Sequence, residues 1–239
     1  GRFVKSEKFN KPTPAEIAYW GGYFFYHNRL HRNYQDDISL HYYLLASKDG
    51  ITIGKRYFKH ENNKEDYPFS PSGHNLYDNN SKLYYCRDFD NIVYQIHEDS
   101  VVPRFRINLP NPLPASMIEE RPNEMSLLRS GYSLGITDIY EYGGLLFFRF
   151  VKDGYIWSCL YNVEESKQVY CAKRIKFLDS SLIDTIDGIY KDCFYSILTP
   201  EYLDYAFSEN PLEDYPDLFK TYDVEGDNPV IAFYRAVVR

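Results

Sequence analysis

The sequence predicts an all-β protein built as a β-propeller of four-stranded antiparallel blades. A short aromatic and apolar run recurs four times, each time just after a turn signal, and each run is apolar continuously rather than alternately. The four runs are residues 23–26, 83–86, 145–148 and 193–196, and their first residues lie 60, 62 and 48 positions apart. Self-similarity at a spacing of tens of residues is typical of a repeat architecture.

The composition favours strands. The chain of 239 residues contains 25 Tyr and 16 Phe, and aromatic side chains suit the half-buried surface of a sheet. A continuous apolar strand needs cover on both of its faces. The middle strands of a propeller blade have that cover because they lie between neighbouring blades, whereas a two-layer sandwich would show cleaner alternation of apolar and polar positions.

The third repeat is the clearest and defines the unit. Its strands are predicted at 136–142, 145–151, 155–162 and 168–176. Gly143-Gly144 is a two-residue turn of the kind that closes hairpins, residues 152–154 form a second turn, and residues 163–167 form a loop. Four antiparallel strands within about 40 residues make one propeller blade.

The other repeats follow the same plan. Strands are predicted at 17–20, 23–27, 38–46 and 51–58 in the first repeat, at 75–78, 82–87, 91–97 and 102–109 in the second, and at 186–190, 193–198 and 229–238 in the last. The approximate blades of this single domain, or propeller fragment, are 10–58, 70–109, 132–177 and 182–239. Residues 1–9 are a candidate outer strand that closes either the last blade or another one.

Long links between predicted strands all emerge on one side of the sheets. They are residues 28–37, 59–74, 110–135 and 199–228. Insertions concentrated on one face often mark the binding face of a repeat protein. By position alone, the candidate binding residues on this long-loop face are Arg29, His31, Tyr34, Asp36, His74, Arg87 and Asp88.

Two of the long links are predicted to contain short helices. Ser116 and Glu119 have the spacing of a capping box. Thr199 followed by Pro200 fits an N-cap and a first helical position ahead of a helix over 201–207.

Charge and hydropathy narrow the range of partners. The net charge is −7 and no basic stripe offsets it, which argues against a nucleic-acid partner because phosphate binding needs clustered Lys and Arg. No apolar run approaches the roughly 20 residues of a membrane span, although a lipid anchor on an uncut precursor stays compatible with the sequence. The expected partner is a protein or a carbohydrate, since sugars stack on exposed aromatic faces beside Asp, Asn and Arg. No cofactor is predicted.

No metal site is predicted. His27 and His31 are four residues apart, a ligand spacing on a helix. Here they bracket a loop, where that spacing does not bring the two side chains together. Asp88, Asp90 and Asn91 offer oxygen ligands without the Gly and distal Glu of a calcium loop. A turn whose side chains bond its own backbone is the favoured interpretation of that segment.

No catalytic residue is predicted either. Residues 131–135 match the Gly-x-Ser-x-Gly nucleophile elbow, but the elbow needs a helix after it, and here a strand follows. The sequence therefore favours a non-enzymatic binding or scaffold protein. One alternative is a glycan lyase or hydrolase with two carboxyl groups roughly 5–10 Å apart at the channel mouth. Another alternative is a structural module that oligomerises through its long loops.

Cys159 and Cys171 are equidistant from Glu165, the predicted tip of a hairpin, and should therefore face each other across two strands. A cross-strand disulfide is geometrically possible there. Two buried thiols that act as small hydrophobic groups are the alternative, and the one that the sequence favours.

Two segments carry a family resemblance. Residues 227–234 (DNPVIAFY) and 87–94 (RDFDNIVY) resemble bacterial six-bladed β-propellers of the TolB-like and NHL-like kind, and more closely the exported propeller lipoproteins of gut anaerobes, a group of uncharacterised function. The resemblance implies a periplasmic, outer-membrane or cell-surface protein and supplies no catalytic motif. It also implies that the four visible blades are part of a six-bladed ring, with a genuine four-bladed ring as the alternative.

Overall fold

The computed structural model describes residues 14–28, 41–59, 73–120, 122–173, 175–177, 180–183, 186–209, 222–223, 226 and 228–235. Within these residues the fold consists of antiparallel sheets and three short helices, so the all-β prediction is confirmed. Sheet 1 comprises β1 (Glu16–Trp20), β2 (Tyr23–His27), β3 (Tyr42–Ser47) and β4 (Lys55–Lys59). Sheet 2 comprises β5 (Leu76–Asp78), β6 (Leu83–Cys86), β7 (Ile92–Ile96) and β8 (Val101–Arg106).

The second half of the chain continues the series. Sheet 3 comprises β9 (Ser133–Tyr142), β10 (Leu145–Lys152), β11 (Tyr155–Asn162) and β12 (Lys167–Ala172). A two-stranded ribbon of β13 (Ile175–Phe177) and β14 (Ser180–Ile183) follows, and sheet 4 comprises β15 (Gly188–Tyr190), β16 (Cys193–Leu198) and β17 (Val230–Tyr234). In each sheet, neighbours along the chain are neighbours in space.

Paired glycines close the first hairpins of sheets 1 and 3, as predicted. Gly21 and Gly22 have φ of 55° and 79°, and Gly143 and Gly144 have φ of 58° and 76°. A hairpin turn in which both central residues have positive φ matches the twist of the strands that it joins, and glycine reaches this conformation without strain.

The outer strand of sheet 3 is shorter than predicted. It ends at Ala172, whereas the sequence pattern extends it to residue 176. Beyond this end, the ammonium group of Lys173 lies 3.4 Å from the centroid of the Tyr155 ring. The following residues, 175–177, pair with β14 instead of continuing along β11.

The helices are α1 (Ala115–Glu119), α2 (Glu124–Leu128) and α3 (Pro200–Glu209). The predicted cap of α3 is confirmed, because Thr199 Oγ1 accepts a hydrogen bond from the backbone N–H of Tyr202 at 3.3 Å. The predicted capping box at α1 is wrong. Pro114, in an extended conformation and with no side-chain cap, holds the N-cap position, and Ser116 is already inside the helix.

Sheet 2 lies between sheets 1 and 3, and its middle strand shows why. Tyr84 and Tyr85 are adjacent on β6 and both are fully buried, although neighbouring side chains of a strand point to opposite faces. Tyr85 packs in an apolar cluster with Phe25 and Leu44 of sheet 1, whereas Tyr84 belongs to a larger cluster shared with sheets 3 and 4. The prediction that a continuous apolar strand is covered on both faces is confirmed for β6. It is wrong for β16, where Phe194 is buried but Ile197, on the other face, is 47% exposed.

The first strands of consecutive sheets contact one another: β1 with β5, β5 with β9, and β9 with β15. Within the described residues the four sheets form an open series rather than a closed ring. The end sheets keep apolar side chains on their outward faces, where Tyr19 is 64% exposed and Phe233 is 54% exposed. In the same part of the chain, no helix has the length and hydropathy to cross a bilayer.

Cys159 and Cys171 lie opposite each other on β11 and β12, and their sulfur atoms are at bonding distance, 1.99 Å apart. The other two cysteines, Cys86 and Cys193, are free thiols.

Substituting Leu44→Ala should lower the free energy of unfolding by about 2–5 kcal/mol, because it removes a fully buried side chain between sheets 1 and 2. Ile17→Ala, in the same sheet but 59% exposed, should cost less than about 1 kcal/mol. Urea unfolding of both variants measures the difference. Equal losses would show that the sheet 1–sheet 2 contact is not a core.

A thiol titration of the denatured, unreduced protein should find two reactive cysteines, because Cys159 and Cys171 lie opposite each other on neighbouring strands, where a disulfide can form. Reduction before the titration should raise the count to four. Four thiols without reduction would contradict the cross-strand bond.

Candidate ligand-binding groove

A groove of about 320 Å³ lies where the first strands of sheets 2, 3 and 4 meet. Its polar and aromatic lining comprises His74, Tyr77, Asp78, Asn80, Tyr140, Asp187 and Tyr195. The volume is at the lower end of the range for small-molecule sites, which combine aromatic walls with a few well-placed polar groups.

Two buried tyrosines hold the segments that lead into the first strands. The Tyr140 hydroxyl donates to the backbone carbonyl of Asp187 at 2.9 Å, and the Tyr77 hydroxyl donates to the carbonyl of His74. Burial, together with the negative charges of Asp138 and Asp187, raises the pKa of Tyr140. Both hydroxyls thus position the backbone at the rim of the groove.

Gly188 brings Tyr195 into the groove wall. The two residues are opposite each other in the register of β15 and β16. A Cβ atom on Gly188 would lie 2.6 Å from the Tyr195 ring, so only glycine lets the ring lie this close to the backbone. Among the described residues, the Tyr195 hydroxyl has no hydrogen-bond partner, which leaves it available to a ligand.

Glu16 of β1 ties sheet 1 to the segment before β5. Its carboxylate accepts hydrogen bonds from the backbone N–H groups of Asn75 at 2.6 Å and Leu76 at 2.9 Å, and its Oε1 lies 2.8 Å from Nδ1 of His74. The Asn75 side chain in turn donates to Asp88 Oδ1 at 3.0 Å. The predicted residues His74 and Asp88 are thus brought together through Asn75, but only His74 lines the groove.

Asn79 and Glu141 join sheets 2 and 3 beside the groove. The buried Asn79 side chain accepts from the backbone N–H of Glu141 at 2.6 Å and donates to the carbonyl of Ile139 at 3.1 Å. The Glu141 carboxylate binds Lys82 Nζ at 2.8 Å and Arg104 at 3.3 Å, and it also accepts from the buried Tyr84 hydroxyl.

At the contact between sheets 2 and 3, the Glu141 carboxylate faces two cations. Burial acts to raise the pKa of Glu141, but the hydrogen bonds from Lys82 and Tyr84 and the charges of Lys82 and Arg104 outweigh it, so the pKa lies below its ordinary value. Burial and the hydrogen bond to Glu141 raise the pKa of Tyr84. These groups satisfy one another across the contact between two sheets, which indicates a structural role.

Arg87, another predicted binding residue, also has a structural environment. Its guanidinium pairs with Asp90 at 2.6 Å and lies 5.3 Å from the centroid of the Phe58 ring. Asp90 Oδ1 accepts from the backbone N–H groups of Asn91 and Ile92, which confirms the interpretation of this segment as a self-bonded turn. The remaining predicted binding residues, Arg29, His31, Tyr34 and Asp36, lie outside the described residues.

Residues 131–135 lead into a strand, as predicted. Ser133 is buried at the start of β9 and its hydroxyl donates to the carbonyl of Pro110. A strand, not a helix, follows it. In the part of the chain that the structure describes, no three His, Cys, Asp or Glu side chains are grouped as metal ligands.

Of the groove lining, sequence reasoning predicted His74 alone and missed the other polar and aromatic residues: Tyr77, Asp78, Asn80, Tyr140, Asp187 and Tyr195. It looked for function in the long links, whereas these residues lie on or beside short strands. One signal was present in Gly188, a glycine within a predicted strand that closes no turn, which often marks a close approach of backbone and side chain.

Two comparisons relate the chain to known proteins. The family model described as Domain of unknown function (DUF4934) matches residues 1–235. The fold is similar to the crystal structure of a protein from Bacteroides fragilis NCTC 9343 whose name proposes that it is exported, with a TM-score of 0.68 and 15% sequence identity. The similarity covers 91% of this chain but 63% of that one, so the chain spans less than two thirds of its neighbour's length. None of the curated proteins matches.

Glu141→Gln should lower the stability at neutral pH by about 1–3 kcal/mol, because the Lys82 and Arg104 charges lose their buried partner. The folded-state pKa of Glu141 lies below its ordinary value of 4.5. The carboxylate therefore contributes its full stabilisation above the ordinary pKa, and this stabilisation is lost as the pH falls through the folded-state pKa. Urea unfolding between about pH 3 and 7 should therefore show the gap between wild type and variant closing at low pH. A gap that is independent of pH would contradict this role.

Proposed function

The chain belongs to the family described as Domain of unknown function (DUF4934), and from this membership and the groove we propose that it is an exported, non-enzymatic binding protein for glycans. The observation that carries the proposal is the meeting of three first strands around a groove that offers the half-buried Tyr195 ring and uncommitted polar groups. Aromatic faces and hydrogen-bond acceptors side by side suit a sugar, which has both apolar ring faces and hydroxyl groups.

We also propose that sheets 1–4 are consecutive blades of a six-bladed propeller. Three features support this arrangement: the first strands are adjacent, sheet 2 is covered on both faces, and the end sheets keep apolar outward faces. Neighbouring blades would cover those outward faces, as sheets 1 and 3 cover sheet 2. The groove would then open to the central channel.

Export is supported by two independent observations. Cys159 and Cys171 face each other across β11 and β12, as a disulfide pair would, and disulfides persist mainly outside the cytosol. The similar structure from Bacteroides fragilis has a name that proposes export. A periplasmic or cell-surface lipoprotein is the form of export that the family resemblance favours.

A glycan-active enzyme is the second candidate function, because Asp78 and Asp187 line the same groove. Glycoside hydrolysis uses two carboxyl groups on either side of the scissile bond. Binding is the better-supported proposal, since Asp187 Oδ2 already accepts the backbone N–H of Ile197 at 2.7 Å and so holds β15 to β16. Release of reducing ends from a bound glycan, abolished by Asp78→Asn, would establish the enzyme instead.

Tyr195→Ala should weaken glycan binding roughly tenfold, because it removes the aromatic wall of the groove, and an aromatic contact contributes on the order of 1 kcal/mol beyond its buried area. Tyr155→Ala is the matched control, a half-exposed tyrosine on the hairpin of β10 and β11. A glycan array identifies the ligand and calorimetry measures the dissociation constants. Unchanged affinity in a folded Tyr195→Ala variant would exclude the groove as the binding site.

A further inference from the structure

We propose that the groove selects uncharged, hydroxyl-rich glycans and excludes acidic ones such as uronates and sulfated sugars. This inference rests on the proposed function and names the ligand class for the same groove. It follows from which polar groups the fold leaves uncommitted, and from the charges around them.

Most side-chain hydrogen-bond donors at the groove already donate to backbone carbonyls. The Tyr140 and Tyr77 hydroxyls donate to the carbonyls of Asp187 and His74. The Asn80 amide donates to the carbonyl of Lys191 at 3.3 Å. These three groups hold the backbone and cannot also donate the same hydrogen to a ligand.

Apart from the second N–H of the Asn80 amide, the uncommitted side-chain groups are mainly acceptors. Within the described residues, the exposed Asp78 carboxylate has no partner, and Asn80 Oδ1 accepts no hydrogen bond. The Tyr195 hydroxyl can both donate and accept. A ligand that satisfies this set must supply hydrogen-bond donors, and the hydroxyl groups of a sugar do so.

The charge around the groove also disfavours an acidic ligand. Asp78 and Asp187 are part of the lining, and no Lys or Arg is found among the described lining residues. The two lysines next to the hairpin turns at the groove are engaged elsewhere: Lys82 Nζ binds Glu141 at 2.8 Å, and Lys191 Nζ lies 5.2 Å from the centroid of the Tyr190 ring.

An acidic sugar would therefore meet two penalties. Its carboxylate or sulfate would be repelled by Asp78 and Asp187, and its oxygen atoms would face acceptors instead of the water that solvated them. A site that leaves polar groups unpaired against one of two similar ligands discriminates strongly between them. The groove should therefore discriminate by charge between glycans that share the same sugar backbone.

The test uses the full chain in affinity gel electrophoresis against pairs of polysaccharides that share a backbone and differ in charge. Suitable pairs are dextran and dextran sulfate, xylan and glucuronoxylan, and fully methyl-esterified homogalacturonan and polygalacturonate. We expect at least one uncharged member to retard the protein and its acidic partner to have no effect.

Two charge-reversal variants, one at the groove and one control, test whether the selectivity arises at the groove. Asp78→Lys should weaken binding of the uncharged member at least fivefold and let the acidic member bind. Glu165→Lys makes the same change of charge at the exposed turn between β11 and β12 and should behave as wild type. Asp78→Asn removes the charge at nearly constant shape and tests the same group if the lysine variant does not fold.

The outcomes separate the inference from the function on which it rests. Equal or tighter binding of the acidic member, lost on Tyr195→Ala, would overturn the charge selectivity and leave a glycan-binding groove. Binding that no groove variant changes would overturn the groove as the site. No retardation by any member of any pair would overturn the proposed function, and the inference with it.

Discussion

The structure depends on one constraint: the middle strand of a sheet can be apolar on both faces only if another sheet covers each face. Tyr84 and Tyr85 show this most directly, since adjacent residues of β6 point in opposite directions and both are fully buried. Their burial requires sheet 1 on one side and sheet 3 on the other. The serial packing of the sheets, and with it the adjacency of the first strands, follows from this requirement.

Polar contacts determine how the sheets meet once they are packed. Glu16 binds the backbone at the start of β5, and Asn79 pairs with the backbone of Ile139 and Glu141 on β9, on either side of Tyr140. Buried polar groups of this kind are favourable only when they are satisfied, so they tolerate few alternative alignments of neighbouring sheets. These contacts determine the shape of the groove, because they fix the ends of the first strands relative to one another.

The candidate site was the part least accessible to sequence reasoning. His74 was predicted because it lies in a long link, and it does line the groove, whereas Arg87 and Asp88 are engaged with the turn and with Asn75. Asp78 and Asp187 are 109 positions apart in the chain and become neighbours of one groove only when sheets 2, 3 and 4 pack together. No local pattern records such a long-range approach.

The sequence by itself determined the strands, their hairpins and the requirement for cover, because apolar periodicity, paired glycines and turn residues act over a few neighbouring positions. It also placed Cys159 opposite Cys171, since hairpin register follows from the position of the turn. Only the tertiary structure decided where β12 ends. It also decided which side-chain donors bond backbone carbonyls at the groove and which acceptors are left for a ligand. Those features depend on partners from other sheets, and the free energy that selects them arises only when the sheets are in contact.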